Sequence, residues 1–389
     1  CNERLKNVID LPKIPIVNNF SNKLTKKKFK IRISICKKCK LFQHENILNK
    51  KKIFNKNYPY ISSTSKNLIN HFKYLHSKIN LKNKKFFLEI GSNDGSFLKQ
   101  LKKKIFYIGV DPSKNACDEA RKNNINIIND FFSSKLSKKI LKKYGHADVI
   151  FSANTLAHVE NLKDVLKGIN LLLSKNGDLY IENIYLQSLL KKNLFDQLYH
   201  EHIFTYSIES INNIFSKYNL YIDKINFNKM QGGSFLIKLT RINKEKKIIK
   251  NIIRKENNNL LFKDKTKLLV NKKINLSLKH VKNTIKKINR KKINLSGYGA
   301  SAKCVMLINL LNLNNQDLNF VVDNTKYKQN KLIPGTNIPI IAPKKTRDYL
   351  GKYCILFSWN FAKEIIQKEK NKNKNTKWLL PIPTVKVIK

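Results

Sequence analysis

No stretch of the 389 residues holds about 18 uninterrupted apolar side chains, so no segment reads as a membrane-spanning helix. A secretory signal peptide is also lacking, and the expectation is a cytoplasmic chain. Acidic residues are scarce: 26 Asp and Glu stand against 78 Lys and Arg, a formal net charge of +52. Such an excess ordinarily points to nucleic acid or an anionic membrane. Here it is mostly Lys, spread from end to end beside abundant Asn and Ile, all encoded by A/T-rich codons. Codon drift accounts for it, and neither nucleic acid nor membrane is expected as a partner. An initiator Met is missing, since the sequence starts at Cys1, and a few residues are expected to precede it. There is no internal repeat. What is present, 41% hydrophobic residues over this length, suffices for two or three domains with buried cores.

Cysteine is sparse as well, with six residues of which only Cys1, Cys36 and Cys39 cluster. Cys36-Lys-Lys-Cys39 has the spacing that lets two thiolates occupy adjacent corners of a tetrahedral zinc site, with Cys1 as a third ligand. The fourth ligand is absent from the sequence; Cys1 reads as the second half of a truncated C-x-x-C pair, and His44 is a substitute. Two metal-free surface cysteines are the alternative. A redox pair is disfavoured because no strand-to-helix thioredoxin pattern surrounds it. Residues 1 to about 55 are Lys-rich and read as strand-poor, as in a small module held by metal.

From Tyr58 the texture changes. Tyr58-Pro-Tyr60-Ile-Ser-Ser-Thr-Ser65 is a polar turn, and apolar residues at 68, 69, 72 and 75 predict a helix over 67–78. Strand-like segments at 86–90, 106–110, 125–128, 149–152 and 179–183 then alternate with helical ones, which implies a mainly parallel α/β sheet covered on both faces by helices. A Lys/Asn-rich helical stretch over about 243–290 links this to a second alternating block that begins near Ile293.

The first block carries a cofactor loop. Glu89-Ile-Gly91-Ser92-Asn93-Asp94-Gly95-Ser96 leaves a hydrophobic strand; the glycines admit close backbone approach, Asp94 and Ser96 can cap the next helix, and Glu89 can accept from the ligand. Some twenty residues on, Asp111-Pro112 ends the second strand in an acid placed for ribose hydroxyls. The loop is not the G-x-G-x-x-G that packs a pyrophosphate, so an adenosyl cofactor without diphosphate fits better than a dinucleotide. Asn129-Asp130-Phe131 would bracket the adenine, although Phe131 reads equally as core.

Proton-transfer groups concentrate further along, at Tyr199-His200-Glu201-His202. A metal-ligand reading of His200 and His202 needs a third ligand that nothing selects, and a structural polar knot is the other alternative. In the last block, Gly297-Tyr298-Gly299-Ala-Ser-Ala302-Lys303 is a strand, glycine turn and helix start, and Phe320-Val-Val-Asp323 ends the next strand in an acid. Alone, that is an incomplete dinucleotide fingerprint compatible with a dehydrogenase.

Together the cysteine knuckle, Tyr60-Ile-Ser-Ser, Glu89 to Gly95, Ala153-Asn-Thr-Leu-Ala-His158-Val-Glu, Tyr199-His-Glu-His202, Gln231-Gly-Gly-Ser234, Gly297 to Lys303 and Val322-Asp-Asn-Thr-Lys326 resemble, over almost the full length, S-adenosylmethionine-dependent C-methyltransferases of nucleotide-linked keto-deoxysugars. The resemblance implies a zinc-binding module over 1–56, a class I (Rossmann-like) methyltransferase core over 57–242, and a helical linker with a second Rossmann-like nucleotide-sugar-binding domain over 243–389. It implies S-adenosylmethionine at Glu89, Gly91, Ser92, Asn93, Gly95, Asp111, Pro112, Asp130, Phe131 and Asn154, with structural zinc at Cys1, Cys36 and Cys39. Methylation at carbon requires removal of the proton alpha to a ketone, and His202 is the base by similarity. Tyr199 would hydrogen-bond the enolate, His158 and Tyr60 would reach the same cavity, and Glu201 would orient an imidazole. No metal is expected in that step. Tyr298, Lys303, Asp323 and Lys326 are implied on the side of an NDP-linked, dTDP above all, keto-sugar, and a monomer is expected. Asn375-Thr376 depart from a glycine pair that relatives carry before Leu380-Pro-Ile-Pro383, and the first cysteine pair is incomplete. Two other classes stay open: a methyltransferase acting on RNA or protein, and a non-catalytic nucleotide-sugar-binding protein.

Overall fold

The computed structural model describes residues 3–49, 53, 59–244, 246–258, 266–344 and 346–388, side chains 102–104 excepted. Cys1 and Tyr58 lie outside these residues, as do 259–265 of the expected linker.

Strand-forming pattern begins at once, which corrects the strand-poor expectation. β1 (Leu5–Ile14), β2 (Phe29–Cys36) and β3 (Phe42–His44) form an antiparallel sheet. In β2 the buried Ile31, Ile33 and Ile35 alternate with Lys30 and Arg32, which face water, and this period of two holds the strand despite its charge. The helix Lys66–Lys78 follows, capped by Ser65, whose side chain accepts from the Leu68 N–H.

The central block contributes β4 (Phe86–Ile90), β5 (Phe106–Asp111), β6 (Ile127–Asn129), β7 (Ala147–Ala153), β8 (Leu173–Ile184), β9 (Phe204–Thr205), β10 (Tyr221–Asn228) and β11 (Ser234–Thr240). Seven of these form a sheet in the order β10-β11-β8-β7-β4-β5-β6, parallel from β8 to β6 with an antiparallel pair at the other edge. Strand order reverses beside β4: the chain runs outward through β5 and β6, then returns to β7 on the other side. A crevice opens at such a reversal, outside the carboxyl ends of β4 and β7. These are the ends at which Gly91 and Asn154 stand.

β9 does not join that sheet. It pairs with β3, Phe42 opposite Thr205 and Gln43 opposite Phe204, so the segment after His202 is the fourth strand of the N-terminal sheet.

Beyond β11 run two helices, Lys247–Asn258 and Thr266–Arg290. The last block holds β12 (Leu295–Tyr298), β13 (Val321–Val322), β14 (Ile340–Ile341), β15 (Tyr353–Leu356), β16 (Lys377–Leu380) and β17 (Lys386–Ile388), ordered β14-β13-β12-β15-β16-β17. All pairings are parallel except β16 with β17, and order reverses between β12 and β15. One apolar cluster joins β1 and β2 to Leu186–Tyr199, to the helix Thr266–Arg290 and to this last sheet. Among the described residues no helix is long and apolar enough to cross a membrane.

Candidate active site

The cofactor loop is knitted by its own carboxylates. Gly91 turns at φ +75°, and a Cβ there would lie 1.9 Å from Thr155 Oγ1, so only glycine fits. Asp111 Oδ2 accepts from the Asn93 N–H at 2.9 Å and Oδ1 from the Ser113 N–H at 2.8 Å. Asp94 accepts from Ser96 Oγ at 2.6 Å and from the Ser63 N–H at 2.9 Å. Asn93 Oδ1 accepts from the Ser62 N–H at 2.8 Å while its amide donates to the Tyr60 carbonyl at 3.1 Å. The polar segment at Tyr60 is thereby fastened to the loop.

Glu89 is different. It is buried, with Oε2 unpartnered, and burial, then Asp111 and Asp94, push its carboxyl well above the usual range. Burial likewise lifts Asp111 to about 6. Crowded buried carboxyls with a free oxygen suit a cationic group such as an amino acid's ammonium. Ser92 Oγ, also buried and unpartnered, lies under Gly109. Pro112 is half-buried beside Asp111. Asp130 is exposed and caps the Phe131 N–H at 2.7 Å, so that pair stands at the rim, beyond Asn129, whose amide donates to the Asp111 carbonyl at 3.0 Å.

Asn154, at φ +53°, donates its N–H to the Glu182 carbonyl at 2.8 Å. The fully buried Glu182 carboxylate accepts from Asn228 at 2.9 Å and pairs with His71 Nε2 at 2.5 Å. Neither His71 nor Glu182 stood out in the sequence, because 111 residues separate them.

On the other side of the crevice the His202 ring is held at both nitrogens. Nδ1 lies 2.7 Å from the Gln197 carbonyl oxygen, and Nε2 lies 2.8 Å from the Tyr199 hydroxyl. A carbonyl only accepts, so Nδ1 carries the proton and Nε2 is the lone pair, receiving the Tyr199 O–H. Burial first, then the neighbouring His158, hold the imidazole well below its ordinary pKa. His158 packs edge-on, centroids 4.9 Å apart, and is itself lowered to about 4 by burial. Burial, then Glu201, Tyr60 and Asp196, raise the Tyr199 phenol well above its usual value. Tyr60 itself is about half exposed, its backbone fastened to the cofactor loop. A small cavity behind His202 is lined by Asn154, Ala157, Asn183, Leu189, Phe204 and Thr205.

The Glu201 carboxylate binds the N-terminal segment: both oxygens accept from the Asn18 amide, at 2.9 and 2.8 Å. It is the Glu201 backbone that meets an imidazole, as hydrogen-bond partner of the buried His158, while the Gln197 carbonyl sets the His202 ring. His200 faces His44, centroids 5.9 Å apart, and both rings are buried.

The implied substrate residues are scattered. Lys303 begins the helix Ala302–Leu311 and donates to Gln231 Oε1 at 2.8 Å, beside His202. Asp323 ends β13 and faces Lys328 at 3.6 Å, while Lys326 is exposed one turn on. Tyr298 is turned into the last sheet's core, its hydroxyl donating to Glu369 at 3.0 Å, and it is not brought to Lys303.

Cys36 and Cys39 form a tight knuckle, with the Cys39 N–H on Cys36 Sγ at 3.4 Å and Lys40 at φ +61°. Burial raises the Cys36 thiol, but N–H groups of Cys39 and Lys38 outweigh it and leave it below its ordinary value. Among the described residues no group of three or more His, Cys, Asp or Glu stands ready for a metal; Cys1 is outside them.

Known proteins bear on both halves. A family model described as a methyltransferase domain matches residues 67–225, and one described as a C-methyltransferase C-terminal domain matches 229–383. The chain is 26% identical to C-methyltransferase NovU of Streptomyces niveus over 374 residues, covering 92% of this chain and 88% of that one. Solved structures with partial likeness include a magnesium protoporphyrin IX methyltransferase from Synechocystis, 14% identical over 45% of this chain and 83% of that one, TM-score 0.35. A methyltransferase from Archaeoglobus fulgidus is 15% identical over 44% and 93%, TM-score 0.37. With a class I α/β fold, a loop built for an adenosyl cofactor and the two matched domains in this order, the chain belongs to the S-adenosylmethionine-dependent C-methyltransferases.

Proposed function

We propose that the acceptor is a nucleotide-diphosphate-linked keto-deoxysugar, dTDP-linked above all, methylated at the carbon alpha to its ketone. The observation that carries this reading is the His202 geometry: a neutral imidazole, proton on Nδ1, lone pair on Nε2, capped by the Tyr199 phenol. His202 Nε2 takes the alpha proton, and the C–H electrons pass to the ketone oxygen. Tyr199 turns its O–H from Nε2 to that oxygen as charge develops. S-adenosylmethionine supplies an electrophilic methyl, and the enolate carbon takes it as the sulfonium's S–C bond breaks. Glu89, Asp111 and the Gly91 loop hold the donor, and Lys303 and Lys326 supply positive charge toward a diphosphate. Residues 1–56, 57–242 and 243–389 divide these tasks among a metal-binding module, the donor domain and the acceptor domain.

Structural zinc belongs to the same reading. The knuckle supplies two thiolates with an N–H on sulfur, and Cys1 would add a third.

Incubation with S-adenosylmethionine and a panel of dTDP-keto-deoxysugars, followed by mass spectrometry, tests the acceptor: one methylene unit is gained by a sugar nucleotide. Methylation of tRNA or protein, with the sugars untouched, overturns the reading.

A further inference from the structure

The hydrogen bond that sets the His202 tautomer comes from the backbone of Gln197, and Gln197 is itself clamped. Its side-chain amide donates to the Gln231 carbonyl at 2.9 Å. Its neighbour Asp196, 1% exposed, accepts on Oδ2 from Trp359 Nε1–H at 2.6 Å across 163 residues. Trp359 follows β15, at the order reversal of the last sheet, where Gly299 is so close that a Cβ would meet Ser358 Oγ at 2.2 Å. Lys303, from the other side of that reversal, lies over the Trp359 ring at 5.8 Å and donates to Gln231 Oε1. A Cβ on Gly232 would also touch Trp359, at 3.1 Å. The crevice of the last sheet thus ends on two residues, Trp359 and Lys303, and both press on the turn Phe195–Gln197 or its partner Gln231.

The turn closes its own backbone, Gln197 N–H on the Leu194 carbonyl and Leu198 N–H on that of Phe195, but Asp196 Oδ1 and Gln197 Oε1 are buried without partners, so among the described residues its polar side chains are anchored by Trp359 and Gln231. Burial, opposed by Lys303 and by the Trp359 bond, lifts Asp196 to about 6.

We infer that Asp196 is a positioning residue through which the C-terminal crevice sets the state of the base: Trp359 seated on Asp196 keeps the Gln197 carbonyl under His202 Nδ1, and its withdrawal frees that carbonyl. The inference rests on the reading of His202 as base. An anionic acceptor group drawn to Lys303 would compete with Gln231 Oε1 and take the ammonium from the Trp359 ring, so occupancy of the crevice bears on both partners of the Phe195–Gln197 turn, Gln231 and Trp359.

The test is Trp359→Phe, which keeps an aromatic ring and removes the N–H. Long-range proton–nitrogen NMR of the whole chain, with His202 assigned by comparison with His202→Asn, reads the ring tautomer without any substrate. The wild type shows a protonated Nδ1; Trp359→Phe shows mixed tautomers, and alpha-proton exchange on the ketosugar falls about tenfold with S-adenosylmethionine affinity within about twofold. Asp196→Leu reproduces both changes, whereas Asp196→Asn, which keeps an oxygen for Trp359, retains the wild-type signals. His202 signals in Trp359→Phe and Asp196→Leu that superimpose on the wild type overturn the inference. A wild-type chain with the stated tautomer but no ketosugar exchange sinks the acceptor reading alone.

Discussion

Asn18 and Glu201, 183 residues apart, meet through one amide that serves both oxygens of a buried carboxylate. The N-terminal segment is thus part of the wall behind the base, since Glu201 adjoins His202 and β9 beyond it pairs with β3. Removing the amide leaves a 2% exposed acid without that donor. Asn18→Ala is therefore expected to cost about 1.5–3 kcal/mol of stability, the range for a hydrogen bond to a charged group, in urea unfolding. An unchanged midpoint would show that Glu201 is satisfied elsewhere.

His202→Asn should abolish alpha-proton exchange and methyl transfer together, with little effect on S-adenosylmethionine affinity, because its ring bonds to Gln197 and Tyr199 and to none of the Gly91 loop's hydrogen-bond partners. Deuterium wash-in to the ketosugar, read by NMR, is the measurement. Tyr199→Phe should keep the lone pair on Nε2 but lose the donor for the enolate, lowering exchange by about 10²-fold or more. Wild-type exchange in His202→Asn removes His202 from the base role.

The acid limb of that exchange should lie unusually low. Burial and His158 hold His202 well below 6.5 in the folded chain, so the imidazole stays neutral, and the lone pair available, as pH falls through the usual histidine range. Exchange should stay level from pH 8 to about 6 and decline only at lower pH. A half-maximal point at 6.5 would mean that His202 is solvated during turnover.

Gly91→Ala must move Thr155, whose Oγ1 would be 1.9 Å from the new Cβ, and must hold Ala at φ +75°. The expected result is a loss of at least about tenfold in S-adenosylmethionine affinity by calorimetry. Gly145→Ala serves as a comparison: φ is +80° but nothing lies within 4 Å of its Cβ, so donor affinity should persist.

Metal analysis should find one zinc per chain, lost in Cys36→Ser together with stability of the N-terminal sheet, since Cys36 lies opposite Leu5 at the end of β2. A metal-free chain of unchanged melting temperature would leave the knuckle as a plain turn.

Local pattern was enough for the donor half. An apolar run such as Phe86 to Ile90 followed by glycine and acid predicts a buried strand opening into a polar loop, and the carboxyl ends of β4, β5 and β6 stand close to the expected positions. β2 was also legible in principle, through Ile31, Ile33 and Ile35, but Lys30 and Arg32 between them and the lysine run before it give the segment the composition of a loop. β9, two residues long, carries no pattern and exists only because β3 offers it an edge. The same holds around the base. The sequence by itself determined which proton-active residues stand together, because their identities and close spacing are local. Tertiary structure decided what each one meets: that the Glu201 carboxylate takes Asn18 while its backbone takes His158, that the Tyr298 hydroxyl takes Glu369, and which nitrogen of His202 carries the proton. Those outcomes depend on partners far away along the chain, or on a backbone carbonyl whose direction no side-chain pattern encodes.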